Sequence, residues 1–448
     1  MRKAIIPIFL FALAVPGYAQ GLFETAGVPA EKTPSKLEWS GYVRGSAYGG
    51  GEQFDYASLF GEASLQGKYA LGKTFLFADI RLREGLQFGE VGPTLQLKEV
   101  YAGYQSEKLD LYLGNQIVTW GRTDGFNPTN CITPRDYFFL TSEPDDQTLP
   151  NFMLRAKYHL SPALYLEGIA IPYFRPSVYR YDLFDMGDNA HFEQAEWPEK
   201  SFRNGALAAR LNGEFSRIGF SLSYFNGYDP FYGFGIQSVD MTQFMDPQIA
   251  YQPAFFRKHA LGADFALPLG AWIARGELAW KWTQGYDTLM YVPHPGLSYV
   301  LGIERNFWDI TVLAQYIGQY THNFQEIREP VLENPLDPVA LFAYIQARID
   351  YESTLFNRKI FQQQEPTNHA LFLSLSRAFA HEALRAELSG YYNITSEEYL
   401  VRPRLSWKIT DALTTAVGAQ IMGGPKASIF DYSKSVLNGA FAELKVNF

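Results

Sequence analysis

The chain has 448 residues, 47% apolar and 16% aromatic, and a formal net charge of −9. That acidic balance argues against nucleic acid as a partner, since phosphate binding needs a basic patch. A single cysteine, Cys131, excludes an internal disulfide framework, and no later stretch approaches the roughly 18 consecutive apolar residues of a membrane-spanning helix.

The N-terminus reads as an export signal. Met1, Arg2 and Lys3 form a positive start, Ala4 to Val15 an apolar run broken only by Pro7, and Gly17-Tyr18-Ala19 a small-residue cleavage site. The run is shorter than the about 20 residues a spanning helix needs. Residues 1–19 are therefore expected to be removed, residues 20–37 to form a periplasmic arm or partial plug, and residues 38–448 one closed domain.

From residue 38 onward, segments of alternating polarity recur. Tyr42 and Arg44 share a face opposite Trp39 and Val43. Leu76, Ala78, Ile80 and Leu82 oppose Asp79, Arg81 and Arg83. Trp272, Ala274, Leu278, Trp280 and Trp282 oppose Arg275, Glu277 and Lys281, and Val401, Leu405 and Trp407 oppose Arg402, Arg404 and Lys408. One face suits hydrocarbon and the other suits water, the pattern of a transmembrane barrel strand. The competing fold, a secreted β-sandwich or propeller, would bury those charges at several kcal/mol each. The fold class expected is all-β, a transmembrane antiparallel β-barrel of about 18 strands, with 16–20 as the range.

The connections alternate in length. Leu71-Gly72-Lys73, Ser161-Pro162, Asn212-Gly213-Glu214 and Thr410-Asp411-Ala412 are short, whereas 119–149, 173–200, 227–255, 284–295 and 320–365 are long. Short periplasmic turns and long extracellular loops are the expected asymmetry. Residues 337–352 carry two conflicting signals. Asp337-Pro338 is a helix start, yet Leu341, Ala343, Ile345, Ala347 and Ile349 alternate as in a strand. The stretch is placed in a long outer loop or as half of an extra hairpin. The chain closes on Ala440, Ala442, Leu444, Val446 and Phe448 along one strand face. A terminal aromatic there resembles the signal by which barrel-assembly machinery recognises outer-membrane proteins.

By this register the lumen is lined by Arg44, Arg81, Arg83, Lys98, Arg155, Lys157, Arg210, Arg275, Lys281, Arg385, Arg402 and Arg404, with fewer acids, among them Glu62, Asp79, Glu167, Glu277 and Glu387. Such a basic excess biases a passage toward anions, unless the charges are spent in salt bridges. The loop at 119–149 offers Trp120, Arg122, Asp124, Arg135 and Asp136, which could meet across a constriction if it folds inward. Glu143, Asp145 and Asp146 read as a solvated acidic cluster, bridged to lipopolysaccharide phosphates by divalent cations.

Gly114-Asn115-Gln116-Ile117-Val118-Thr119-Trp120-Gly121, followed by Asn127-Pro128 and Arg135-Asp136, with Leu97-Lys98-Glu99-Val100-Tyr101 upstream, resembles a motif of a poorly characterised outer-membrane barrel family. Its members are often encoded near resistance-nodulation-division exporters thought to move lipids or hydrophobic compounds. The resemblance covers roughly residues 94–172. It implies a Gram-negative outer-membrane location, a lipid or hydrophobic cargo and a periplasmic or inner-membrane transporter as partner.

Nothing catalytic stands out. The seven histidines show no zinc spacing, and no Gly-x-Ser-x-Gly elbow is present, so no metal, cofactor or catalytic residue is expected. The function read from the sequence is a porin-like transport channel for small solutes or hydrophobic cargo. The alternative is a structural barrel that docks another envelope protein, followed by an outer-membrane enzyme.

Overall fold

The computed structural model describes residues 37–50, 55–184, 186, 190–242 and 247–448. The expected export signal and all but the last residue of the expected arm lie outside the described residues. Leu37 already belongs to the first strand.

The strands in chain order are β1 (Leu37–Gly50), β2 (Asp55–Leu71), β3 (Thr74–Gln87), β4 (Glu90–Gln105), β5 (Leu109–Gln116), β6 (Asn151–Ser161) and β7 (Leu164–Ile171). Then come β8 (Ala190–Phe192), β9 (Ala206–Phe215), β10 (Ile218–Tyr228), β11 (Gly233–Asp240), β12 (Gln248–Ala254), β13 (Arg257–Leu269) and β14 (Trp272–Thr283). The last are β15 (Gly296–Phe307), β16 (Ile310–Thr321), β17 (Thr367–Phe379), β18 (Leu384–Asn393), β19 (Tyr399–Lys408), β20 (Leu413–Gly423) and β21 (Gly439–Asn447). Two helices interrupt them, α1 (Pro338–Ile360) and α2 (Ile429–Leu437).

Eighteen of these strands form one antiparallel sheet. Each pairs with its neighbour in the chain, and β1 pairs with β21, so the sheet closes on itself. Closure removes both free edges, which hydrocarbon would otherwise leave without hydrogen-bond partners. The seam runs from Tyr42 opposite Asn447 to Gly49 opposite Ala440. At its end the Gly41 and Phe448 backbones exchange two hydrogen bonds of 2.9 Å. The Phe448 ring lies 6.2 Å from Trp39. A side chain at residue 41 would run into that ring, 2.7 Å from its tip, so glycine is what lets the terminal ring lie against the wall.

The two-faced pattern sets which residues point where. Tyr42 and Arg44 are buried inside, while Trp39 and Val43 are exposed on the outer wall. Leu76 and Leu82 face out, opposite buried Asp79 and Arg81. The connections at the end where β1 begins and β21 ends are all short, and that end is the periplasmic one in outer-membrane barrels. The long connections lie at the other end, where β3 and β4 also meet through the tight Phe88-Gly89 turn.

The long-loop end carries structure that the sequence reading did not anticipate. A three-stranded sheet of β8, β12 and β11 stands beyond the barrel. Its Tyr232, Phe234, Ile249 and Tyr251 pack with Ile345, Ile349 and Phe356 of α1. This settles the conflict at 337–352: the stretch is helix and belongs to an outer loop. Asp337 caps it, its carboxylate accepting from the Val339 N–H at 2.9 Å. Positions 345, 349 and 356 fall on one helical face, and the aromatic sheet that covers this face outweighs the local alternation.

Candidate constriction of the lumen

The connection between β5 and β6, residues 117–150, turns back into the barrel. It meets the inner wall with two arms, and each arm is held by the opposite kind of charge.

The first arm spans residues 119–129. Trp120 is buried, and its indole N–H donates to Glu167 on β7 at 3.0 Å. The same carboxylate takes Arg155 at 2.5 Å and Arg210 at 2.8 Å. Beyond it, Glu277 on β14 accepts from the backbone N–H of Arg122 at 2.6 Å and of Thr123 at 2.7 Å. The hydroxyls of Thr123 (2.7 Å) and Thr129 (2.8 Å) complete the cage. Gly121, at φ +105°, lies so close to this carboxylate that a side chain would collide with it. Arg122 reaches Asp264 on β13 at 2.6 Å and Glu214 on β9 at 2.8 Å. Asp124 pairs with Arg275 at 3.1 Å, and Arg275 also pairs with Glu304. At the tip the Phe126 ring stacks on Tyr391 of β18, 5.1 Å away. The arm thus crosses from the β7–β14 wall to the β18 wall.

The second arm, residues 139–148, lies on the basic wall. Asp146 receives Arg44 at 2.6 Å and Arg81 at 2.9 Å. The Lys98 ammonium donates to the carbonyls of Asp146 at 2.8 Å and Thr148 at 2.5 Å. Glu143 pairs with Arg404, which also holds Glu387 at 2.6 Å. Arg402 donates to the Thr141 carbonyl, and Ser142 donates to Glu443 on β21 at 2.8 Å. Arg83, bound to Glu62 at 2.6 Å, lies 3.8 Å from the Phe139 ring centre.

The electrostatics follow from this packing. Arg44 is almost wholly buried and shares Glu62 with Arg83, while Arg81 holds Asp79 at 3.0 Å, so Asp146 adds a further close carboxylate to both Arg44 and Arg81. Burial opposes the charge on Asp146, but the neighbouring Arg44 and Arg81 guanidiniums win and hold its carboxyl well below the usual aspartate range. Asp136 goes the other way: burial pushes its carboxyl up, against a hydrogen bond from the Phe138 N–H at 3.1 Å.

Two readings of the sequence are corrected here. Arg122, Asp124, Arg135 and Asp136 do not meet one another. The first two bind opposite charges on the wall, Arg135 donates to the Pro144 carbonyl at 3.2 Å, and Asp136 serves its own loop. Nor do Glu143 and Asp146 stand on the outer loop surface; both pair with arginines of the inner wall because the loop folds in, Asp146 largely buried and Glu143 half-exposed. Among the remaining inward basic residues, Lys157 lies 5.1 Å from the Tyr165 ring centre, Lys281 sits opposite Ala260 on β13, and Arg385 is exposed. None of these three forms an ion pair among the described residues. Lys258 and Asp264 lie beyond the inward set read from the sequence. Lys258 and Asp264 share one face of β13 by simple alternation, and Lys258 binds the loop residue Asp229 at 2.8 Å.

No family model matches the chain, and no curated protein matches it. Solved structures do. The chain is similar to Pseudomonas aeruginosa OpdK with vanillate, at TM-score 0.52 and 10% identity over 92% of this chain and 98% of that one. It is likewise similar to Pseudomonas aeruginosa OccK2 (OpdF) in complex with glucuronate, at TM-score 0.52 and 10% identity over 92% and 97%. Acinetobacter baumannii OccAB4 gives TM-score 0.52 and 10% identity over 92% and 98%. At such identities the likeness is one of fold: an 18-stranded barrel of the outer-membrane porin kind.

Proposed function

We propose that this protein is a selective outer-membrane channel for small solutes, with residues 117–150 forming its constriction. The observation that carries the reading is the loop's docking on opposite inner walls, Arg122 on carboxylates and Asp146 on arginines. The passage is therefore narrowed by charged groups that a solute must pass. Vanillate and glucuronate, named with two barrels of this fold, are both carboxylates, and a carboxylate can take the place of Asp146 or Glu143 on the basic wall. An anion preference follows, smaller than the count of inward arginines suggests, because most of them are already paired.

A hydrophobic or lipid cargo has less support. The passage is lined by ion pairs at its constriction, and the wall is hydrogen-bonded all round, seam included. The resemblance to the exporter-associated family is the sole support for lipid cargo and for a transporter partner.

The test is planar-bilayer conductance of the refolded barrel under a salt gradient. A zero-current potential of anion sign, reduced by millimolar glucuronate or benzoate in the bath, is the expected result. A cation sign, or a barrel that passes no current even with the second arm loosened by Asp146→Asn, would overturn the reading.

A further inference from the structure

The outer wall carries an apolar groove of about 500 Å³ that climbs from mid-wall to the long-loop rim. That is within the range of ligand sites, about 300–1,000 Å³. Leu113, Leu154, Ala170 and Leu207, from β5, β6, β7 and β9, form its floor. At its upper end lie Phe202, 90% exposed, and two arginines, Arg203 and Arg257. Among the described residues, no acidic side chain lines it.

The arginines are in an unusual place. Arg257 opens β13 on its outward face, beside outward Leu261 and opposite inward Lys258. A cation on the lipid face is most costly at the bilayer midplane and is tolerated near the interface. Arg257 spends its N–H groups on neutral acceptors: the carbonyls of Arg203 and Gly205, both at 3.3 Å, and Asn226 at 3.1 Å. These bonds hold it against the backbone that carries Arg203. Neither guanidinium has a carboxylate partner among the described residues. Two uncompensated cations thus stand over a hydrocarbon-lined groove, at the height where the outer leaflet's headgroups begin.

We infer that this groove binds the lipid A portion of lipopolysaccharide, an acyl chain lying on Leu154 and Leu207 and a glucosamine phosphate meeting Arg203 and Arg257. Guanidinium and phosphate match in geometry and charge. The long-loop end commits the site to the outer leaflet, where the phosphate-bearing lipid is lipopolysaccharide rather than phospholipid. The contact is direct, unlike the cation-bridged contact expected of acidic loops, and it is separate from the constriction.

The experiment is native mass spectrometry of the detergent-purified barrel with added hexa-acylated, bis-phosphorylated lipid A. One tightly retained molecule per barrel is expected. Retention should fall at least tenfold in the Arg203→Gln/Arg257→Gln double variant, with bilayer conductance unchanged. A second variant, Ala170→Trp, fills the groove while keeping both arginines and should lose retention as well. Equal retention by wild type and both variants would overturn the site. Equal retention of dephosphorylated lipid A would remove the phosphate contact, and equal retention of phosphatidylglycerol would remove the assigned occupant.

Discussion

Asp146 and Arg44 stand 102 residues apart in the chain and 2.6 Å apart in the lumen. One comes from a loop between β5 and β6, the other from the first strand. Their pairing pins the second arm of the constriction to the β1–β3 wall. It also gives a second close carboxylate, beside Glu62, to a guanidinium that is almost fully buried.

Asp146→Asn is therefore expected to loosen the arm more than it harms the barrel. Removing one partner of a buried pair costs about 3–5 kcal/mol, here tempered because Arg44 keeps Glu62 at 2.7 Å. Single-channel recordings should show larger and noisier conductance. Protease cutting within residues 139–148 should quicken, while the folded barrel's resistance to detergent stays the same.

The pH response has a definite sign. Asp146 has its pKa depressed in the folded state, so its stabilising contribution is present above the ordinary aspartate value of about 3.9 and is lost as pH falls through its lower folded value. Conductance from pH 7 down to about 4 should show no step from this group. An increase from arm release should begin only below that. In Asp146→Asn the acid step should be absent.

Glu277 is the anchor of the first arm. Its carboxylate takes four hydrogen bonds from Arg122, Thr123 and Thr129 at 2.6 to 2.8 Å. Each bond to a charged acceptor is worth about 1.5–3 kcal/mol. Glu277→Ala should raise hydrogen exchange at residues 120–129 by an order of magnitude or more, and Glu277→Gln by less. Exchange at 139–148 should barely change, since that arm has its own contacts.

Gly41→Val should weaken closure of the barrel, because the new side chain would overlap the Phe448 ring and the neighbouring β2 backbone. The folded species that resists detergent at room temperature should unfold at lower temperature on gel-shift assays. Phe448→Ala in the same background should restore part of the loss, since it removes one of the two overlapping groups.

The strands were legible because the membrane imposes a rule on every one of them. Leu76 and Leu82 must meet hydrocarbon, and Asp79 and Arg81 must not, so alternation alone assigns the faces. The course of residues 117–150 was not legible, because no local pattern distinguishes a loop that stands in water from one that turns inward. Asp146 reads as a solvated acid until Arg44 and Arg81 are placed beside it. The same holds for α1, where the helix start at Asp337 and the strand-like alternation were both present. Tyr232, Phe234 and Tyr251, distant in sequence, decided between them. Lys258 and Asp264 were within reach, since the alternation that placed Arg275 and Glu277 applies equally to β13.

A ring whose closing seam joins its first strand, β1, to β21 admits no partly finished version. Until Phe448 reaches Gly41, β1 and β21 each present a bare row of amides and carbonyls, and the first strand to emerge must wait for the last. Any nascent or clipped chain short of its C-terminal segment is thus an open ribbon with two adhesive margins. Such a species leaves backbone groups unpaired that a hydrocarbon environment cannot satisfy.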